Sequence, residues 1–224
     1  MNPPPFVTIA IDGGAASGKS STSRGVAERL HLLYVDSGAH YRRITHHLLG
    51  AKISHQHPDA IRAELEKAKI ETRIEGWAAG LVLNGESMDS AELRSPVINA
   101  NVSHYAAKRP VREFLLDYQR SQVEVAKSNG FNGLVMEGRD IATVVFPDAD
   151  FKFFLDAGED VRARRRQDEG QTDPVKERDD LDANRKSAPF VAAEDARRIN
   201  TDALDLETVI DLICGIIRKG REAG

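Results

Sequence analysis

Cysteine is almost missing from this 224-residue chain. Cys214 stands alone, so no internal disulfide can form, and its setting in an apolar helical pattern fits a reducing compartment. No apolar run approaches the roughly 20 residues that cross a bilayer, and the first residues lack a basic, apolar signal. The expectation is a cytoplasmic protein with no membrane partner. Positive charge is not in excess either: the net charge of −4 argues against a broad nucleic-acid surface. Any phosphate chemistry must therefore use locally clustered arginines. Aromatics are scarce at 6%, and Phe6, Phe151, Phe153 and Phe154 read as sheet core rather than a binding face. Trp77 beside Gly76 reads as a cap on an inserted lobe. His46, His47, His55 and His57 have no cysteine partners and read as a solvated helix–loop region, not a zinc site. There is no internal repeat, no low-complexity segment and no exposed apolar stripe, which makes a monomer the default.

What is present begins with Gly13-Gly14-Ala15-Ala16-Ser17-Gly18-Lys19-Ser20, a match to G-x-x-x-x-G-K-[ST]. It follows the apolar run from Phe6 to Ile11 and opens a helical pattern, the context a phosphate-binding loop requires. Glycines let the backbone curl so that several N–H groups point at one anion at a helix N-terminus. Lys19 then reaches the terminal phosphates of a nucleoside triphosphate, and Ser20 holds Mg2+. The motif leaves open what is done with the triphosphate.

The remaining pattern alternates buried strands (Leu32–Val35, Leu134–Met136, Phe151–Leu155) with helices, which implies an α/β fold with a parallel sheet covered on both faces. Ile70–Ile74 and Gly80–Leu83 alternate as strands closed by Asn84-Gly85 and suggest an insertion. A very basic helix around 160–167 and a closing amphipathic helix over 205–218 complete the reading. With 41% hydrophobic and 29% charged residues, the length suits one domain carrying a small lobe. Gly13, Asp36 and Glu137-Gly138-Arg139-Asp140 each fall just after a predicted strand, where open parallel sheets bind ligands. Arg42, Arg112, Arg139, Arg162, Arg165, Arg166, Arg178 and Arg185 supply forks suited to phosphate oxygens. On a helix such as 162–166 the same residues also serve as a solvated face.

The order of these segments resembles the bacterial cytidylate kinases. Asp36-Ser37-Gly38-Ala39-His40-Tyr41-Arg42 is similar to their D-[ST]-G-A-x-Y-R segment, and Glu137 to Pro147 resembles D-G-R-D-I-G-T-V-V-F-P. Leu83-Asn84-Gly85 with Leu93-Arg94 is similar to the inserted lobe, and Arg178 to Pro189 resembles R-D-x-x-D-x-x-R-x-x-x-P. The resemblance implies a single three-layer P-loop kinase domain over 1–224. It carries a monophosphate-binding lobe at about 64–95 and a short lid at about 160–186.

The resemblance further implies transfer of the γ-phosphoryl group from ATP, with Mg2+, to CMP and dCMP. Gly13, Gly14, Ala15, Ala16, Ser17, Gly18, Lys19, Ser20 and Ser21 would hold ATP, joined by Arg162 and Arg166. Ser37, Tyr41, Arg42, Ser103, Arg112, Arg139, Asp140, Arg178, Asp182 and Arg185 would hold CMP. Lys19, Arg139, Arg178 and Arg185 would stabilise the moving group. Asp140 can accept from the cytosine N4 amino group while Arg112 donates to O2 or N3. Two alternatives stay open: a kinase for another small acceptor such as UMP or a non-nucleotide, and a regulatory nucleotide switch. No Asn-Lys-x-Asp guanine-reading segment supports the second.

Three positions depart from the family pattern: Glu137 for aspartate, Ala142 for glycine and Gly14 for proline. The segment from Gln167 to Lys176 is about ten residues shorter than is common in the family, so a small lid is expected (short connections are ordinary in compact domains).

Overall fold

The computed structural model of the protein describes residues 5–168 and 190–223. Seven strands form one sheet in the order β3-β4-β2-β5-β1-β6-β7. They are β1 (Val7–Gly13), β2 (Leu33–Asp36), β3 (Ile70–Glu75), β4 (Ala78–Leu83), β5 (Gly133–Gly138), β6 (Phe151–Asp156) and β7 (Arg197–Asn200). All neighbours pair in parallel except β3 with β4, the antiparallel hairpin at one edge.

Period-two alternation along the central strands divides the core between two layers. Val7, Ile9 and Ile11 of β1 face α1 (Lys19–Leu30) and the closing helix α8 (Leu206–Ala223), packing with Val26, Leu30, Ile210, Ile213 and Ile217. Ala10, Leu33, Val35, Leu134 and Met136 point the other way, toward Ala126 of α6 (Arg109–Ser128) and toward Ile141, Ala142 and Val145. A further apolar cluster joins α2 (Ser37–Gly50), α3 (Pro58–Leu65), α5 (Pro96–Ala106) and α6 to Leu81 and Leu83 of the hairpin. The segment proposed as an inserted lobe thus continues the central sheet through β2–β4 pairing at Tyr34 and Val35. Trp77, in the β3–β4 turn, packs edge-on against His31 and Phe131 at the amino ends of β2 and β5. No described helix is long and apolar enough to cross a membrane.

Three short elements, β7, a π-helical turn and a short helix before α5, lie outside the pattern read from sequence. β7 has only Ile199 buried and pairs along β6. Residues Ile141–Val145 form a π-helical turn directly after Asp140. α4 (Ser90–Leu93) is short and capped by Asp89 and Glu92 in reciprocal bonds, and α7 (Glu159–Asp168) carries the arginine cluster.

His40 on α2 gives one measurable consequence of this packing. Its ring is buried, edge-on to Tyr118 at 5.1 Å, and neither ring nitrogen has a hydrogen-bond partner among the described residues. Burial pulls its pKa from 6.5 to about 4, only partly opposed by the Asp36 charge. Above pH 6.5 the ring is neutral in both the folded and the unfolded chain, and proton binding contributes nothing to stability. As pH falls toward 4 the unfolded chain binds a proton that the folded one refuses, so stability falls by roughly 3 kcal/mol. Urea unfolding at pH 7 and pH 4 should show that drop, and His40→Leu should remove most of this part of it; an identical pH slope in both proteins would contradict the assignment.

Candidate active site

The strand order brings the carboxyl ends of β1, β2 and β5 side by side, with Asp12 opposite Gly138 and Asp36 opposite Glu137. The loop after β1 turns sharply onto α1 through left-handed Ala16 (φ 57°) and Gly18 (φ 87°). Gly18 is the N-cap of α1 and no side chain among the described residues caps that end, which leaves the first-turn N–H groups to an anion. A Cβ on Gly13 would lie 2.5 Å from the Leu155 carbonyl oxygen, so glycine there serves the close approach of loop and β6.

Three α7 arginines have separate tasks. Arg162 donates to the carbonyl oxygens of Ala15 at 3.3 Å and Ala157 at 3.0 Å. Arg165 donates to Thr201 Oγ1 at 3.0 Å and Thr201 O at 2.7 Å, and the Thr201 hydroxyl in turn donates to Ser17 O at 3.2 Å. These two therefore brace the loop from behind, whereas Arg166 lines the cleft itself. Neither a uniformly solvated face nor a uniformly ligand-facing one describes this helix.

At the floor, Lys19 Nζ donates to Gly14 O at 3.3 Å and stands 3.8 Å from Glu137 Oε2. Tyr34 OH donates to Glu137 Oε1 at 2.6 Å. Burial pushes the Glu137 carboxyl above its ordinary range and neighbouring Asp36 adds to this, while Lys19, Ser20 and Tyr34 pull the other way. A carboxylate in that setting is well placed to meet a cation. With the Ser20 hydroxyl it supplies the hard oxygen donors that suit Mg2+ retaining several waters. The residues present fit the ion.

The opposite wall is built on α2, α5 and the turn after β5. Burial pushes Asp36 up, but the charges of Arg42 and Arg94 outweigh it, with the Ala39 N–H bond at 3.0 Å assisting, and hold the carboxyl below its ordinary value. Burial lowers the Arg42 pKa against the pull of Asp36. Arg112 and Asp140 form a largely buried ion pair, and the Arg112 guanidinium also lies 5.7 Å over the Tyr41 ring. Arg139 lies 4.9 Å over the Phe190 ring, which stacks on Phe154. Ser37 donates to Glu137 O at 2.7 Å, tying the ends of β2 and β5 together.

Of the residues expected from sequence, Ala15, Ala16, Gly18, Lys19, Ser20, Ser21, Ser37, Tyr41, Arg42, Ser103, Arg139, Asp140 and Arg166 line one cleft. Gly13, Gly14, Ser17, Arg112 and Arg162 are not among its lining residues. Arg178, Asp182 and Arg185 lie outside the described residues. Sequence reasoning named Arg94 only as part of the inserted-lobe resemblance and gave it no site role, yet it lines the cleft and approaches Asp36 at 3.7 Å. It also missed Asp12, whose carboxylate accepts from the N–H groups of Ile141 at 2.9 Å and Ala142 at 2.8 Å. An acidic residue closing an apolar strand just before the glycine loop was the available signal.

The sequence that builds this cleft has counterparts among known proteins. The model of the family described as "Cytidylate kinase" matches residues 9–219. The chain belongs to the cytidylate kinase family. It is 39% identical over 224 residues to a cytidylate kinase of Desulforamulus reducens, covering 95% of this chain and 97% of that one. It is also 39% identical over 230 residues to a bifunctional pantoate ligase/cytidylate kinase of Synechococcus sp. (strain CC9605), covering 96% of this chain but only 46% of the longer relative. A solved but uncharacterized protein from Eubacterium ventriosum shares the fold, with a TM-score of 0.51 and 14% identity over 95% of this chain and 98% of that one.

Two of the departures from the cytidylate kinase pattern sit in the structure without displacing a site group. Ala142 is 3% exposed and contributes its backbone N–H to Asp12, so its methyl group sits in the core without disturbing the turn. Gly14 offers its carbonyl oxygen to Lys19 and to Ser17 N.

Proposed function

We propose that this chain transfers the γ-phosphoryl group of ATP to CMP and dCMP, giving ADP with CDP or dCDP in pyrimidine nucleotide metabolism, as a cytoplasmic monomer. The observation that carries the acceptor is the buried Arg112–Asp140 pair, whose Asp140 lines the same cleft as Ser103, Lys19 and Arg139. A carboxylate there accepts from the cytosine N4 amino group, and the guanidinium donates to O2 or N3. Uracil presents a carbonyl at position 4, which a carboxylate repels.

Arg42, Arg94 and Arg139 surround the place where the acceptor phosphate enters, and Lys19 with the first turn of α1 holds the donor phosphates. The acceptor is already a phosphate largely ionised near neutral pH, so positioning and charge compensation do most of the work and no strong base is needed. Ser20, with Glu137 nearby, would hold Mg2+, which would supply further charge compensation. Arg178 and Arg185 complete this set from the lid, with Asp182 toward the ribose; all three lie outside the described residues. The segment at about 64–95 forms the acceptor-side lobe in this reading.

A coupled ADP-release assay across CMP, dCMP, UMP, AMP and GMP tests it. CMP and dCMP should exceed the others by at least about tenfold in kcat/KM, since a site built to bond one polar edge rejects the wrong one strongly. Turnover of AMP or UMP without CMP would overturn it.

A further inference from the structure

The π-helical turn Ile141–Val145 begins immediately after Asp140, which occupies its N-cap position. An acidic N-cap ordinarily uses its own carboxylate on the first free N–H groups of the turn. Asp140 does not: no side-chain bond from it caps this end, and its carboxylate is paired with Arg112 instead. The capping is done from another strand, because each oxygen of the Asp12 carboxylate takes one N–H, Oδ1 from Ile141 at 2.9 Å and Oδ2 from Ala142 at 2.8 Å. Asp12 is 2% exposed and directly precedes Gly13, the first residue of the donor loop.

The geometry points to Asp12 as a positioning residue that caps the reading turn in place of Asp140, so that the Asp140 carboxylate pairs with Arg112 and faces the acceptor base rather than the turn. The same two bonds tie the donor loop's entry to the Arg139-Asp140 turn, so both substrates are held in one frame. The idea rests on the acceptor reading proposed above. Asparagine at position 12 keeps the size but only one acceptor oxygen, and turns an N–H donor toward a second donor. The Asp140 carboxylate then becomes the nearest replacement cap, at the expense of the base.

The test uses the full-length protein. Asp12→Asn should raise KM for CMP by about tenfold, a cost on the order of one lost charge-assisted hydrogen bond, while the Kd for ATP changes less than about twofold. In an Asp140→Ala background the same substitution should change KM for CMP less than about twofold, because interacting sites do not add. An unchanged KM for CMP, equal losses for ATP and CMP, or full additivity with Asp140→Ala would each overturn it. Should Asp12→Asn not fold, amide exchange in the unsubstituted protein decides: Ile141 and Ala142 should be protected at least about 100-fold, and free exchange at either contradicts the cap. Absence of CMP turnover by the unsubstituted enzyme would instead count against the acceptor reading.

Discussion

Lys19→Ala is expected to lower kcat by about 10²–10³-fold while leaving the folded structure intact, the size of effect seen when one preorganised charge donor is removed from a transition state. Lys19 sits at the start of α1, bonded to Gly14 O and close to Glu137, where a terminal phosphate on the loop would meet it. Its loss removes the nearest positive charge on the donor side and leaves Glu137 more strongly disposed to take up a proton, since Lys19 is among the groups holding that carboxyl down. The core beneath is apolar and does not involve the lysine, so thermal unfolding should shift by only a few degrees. Lys19→Arg should not restore the rate, because a planar fork cannot take the place of a compact ammonium in a closed loop. Rates within tenfold of the unsubstituted enzyme would show that Lys19 does not meet the transferring group.

The phosphate loop and the convergence of polar clusters were legible because both depend on local rules. An apolar strand running into Gly13 to Ser20, and polar residues placed just after three buried strands, require no knowledge of the final packing. The elements that escaped depend on distant partners. β7 reads Arg-Arg-Ile-Asn, with one buried side chain, and becomes a strand only by pairing with β6. Ile141-Ala142-Thr143-Val144-Val145 carries the branched residues of a strand, yet Asp12, about 130 positions away, fixes its first N–H groups into a π turn. The α7 arginines show the same limit: Arg165 and Arg166 are adjacent in sequence, but one turns to Thr201 and the other to the cleft. Helical geometry separates neighbours by about 100°, and only the docked position of α7 decides which direction is useful. The alternation that marks the hairpin strands likewise could not reveal that β4 pairs with β2.

Asp140→Asn is expected to lower kcat/KM for CMP by about 10²–10³-fold and to bring the CMP:UMP ratio close to about one, because in the proposed reading selectivity comes from an unmatched polar edge rather than from size. The pair it disrupts is nearly enclosed, with the two side chains only 11% and 5% exposed, so water cannot replace the missing charge. Asparagine has almost the same shape but carries both a donor and an acceptor. Its amide can turn an N–H toward the uracil O4, which the carboxylate would repel, while offering cytosine only a neutral acceptor. Arg112 keeps its bond to Ala106 O and its place over Tyr41 but loses its counter-charge, so thermal stability should fall by several degrees as well. The ratio separates the two effects: loss of stability alone lowers turnover of CMP and UMP together, whereas loss of base reading lowers CMP turnover selectively. Paired measurements of kcat/KM for CMP and UMP in this variant therefore address Asp140's part in recognition directly, and an unchanged ratio would place discrimination elsewhere in the cleft.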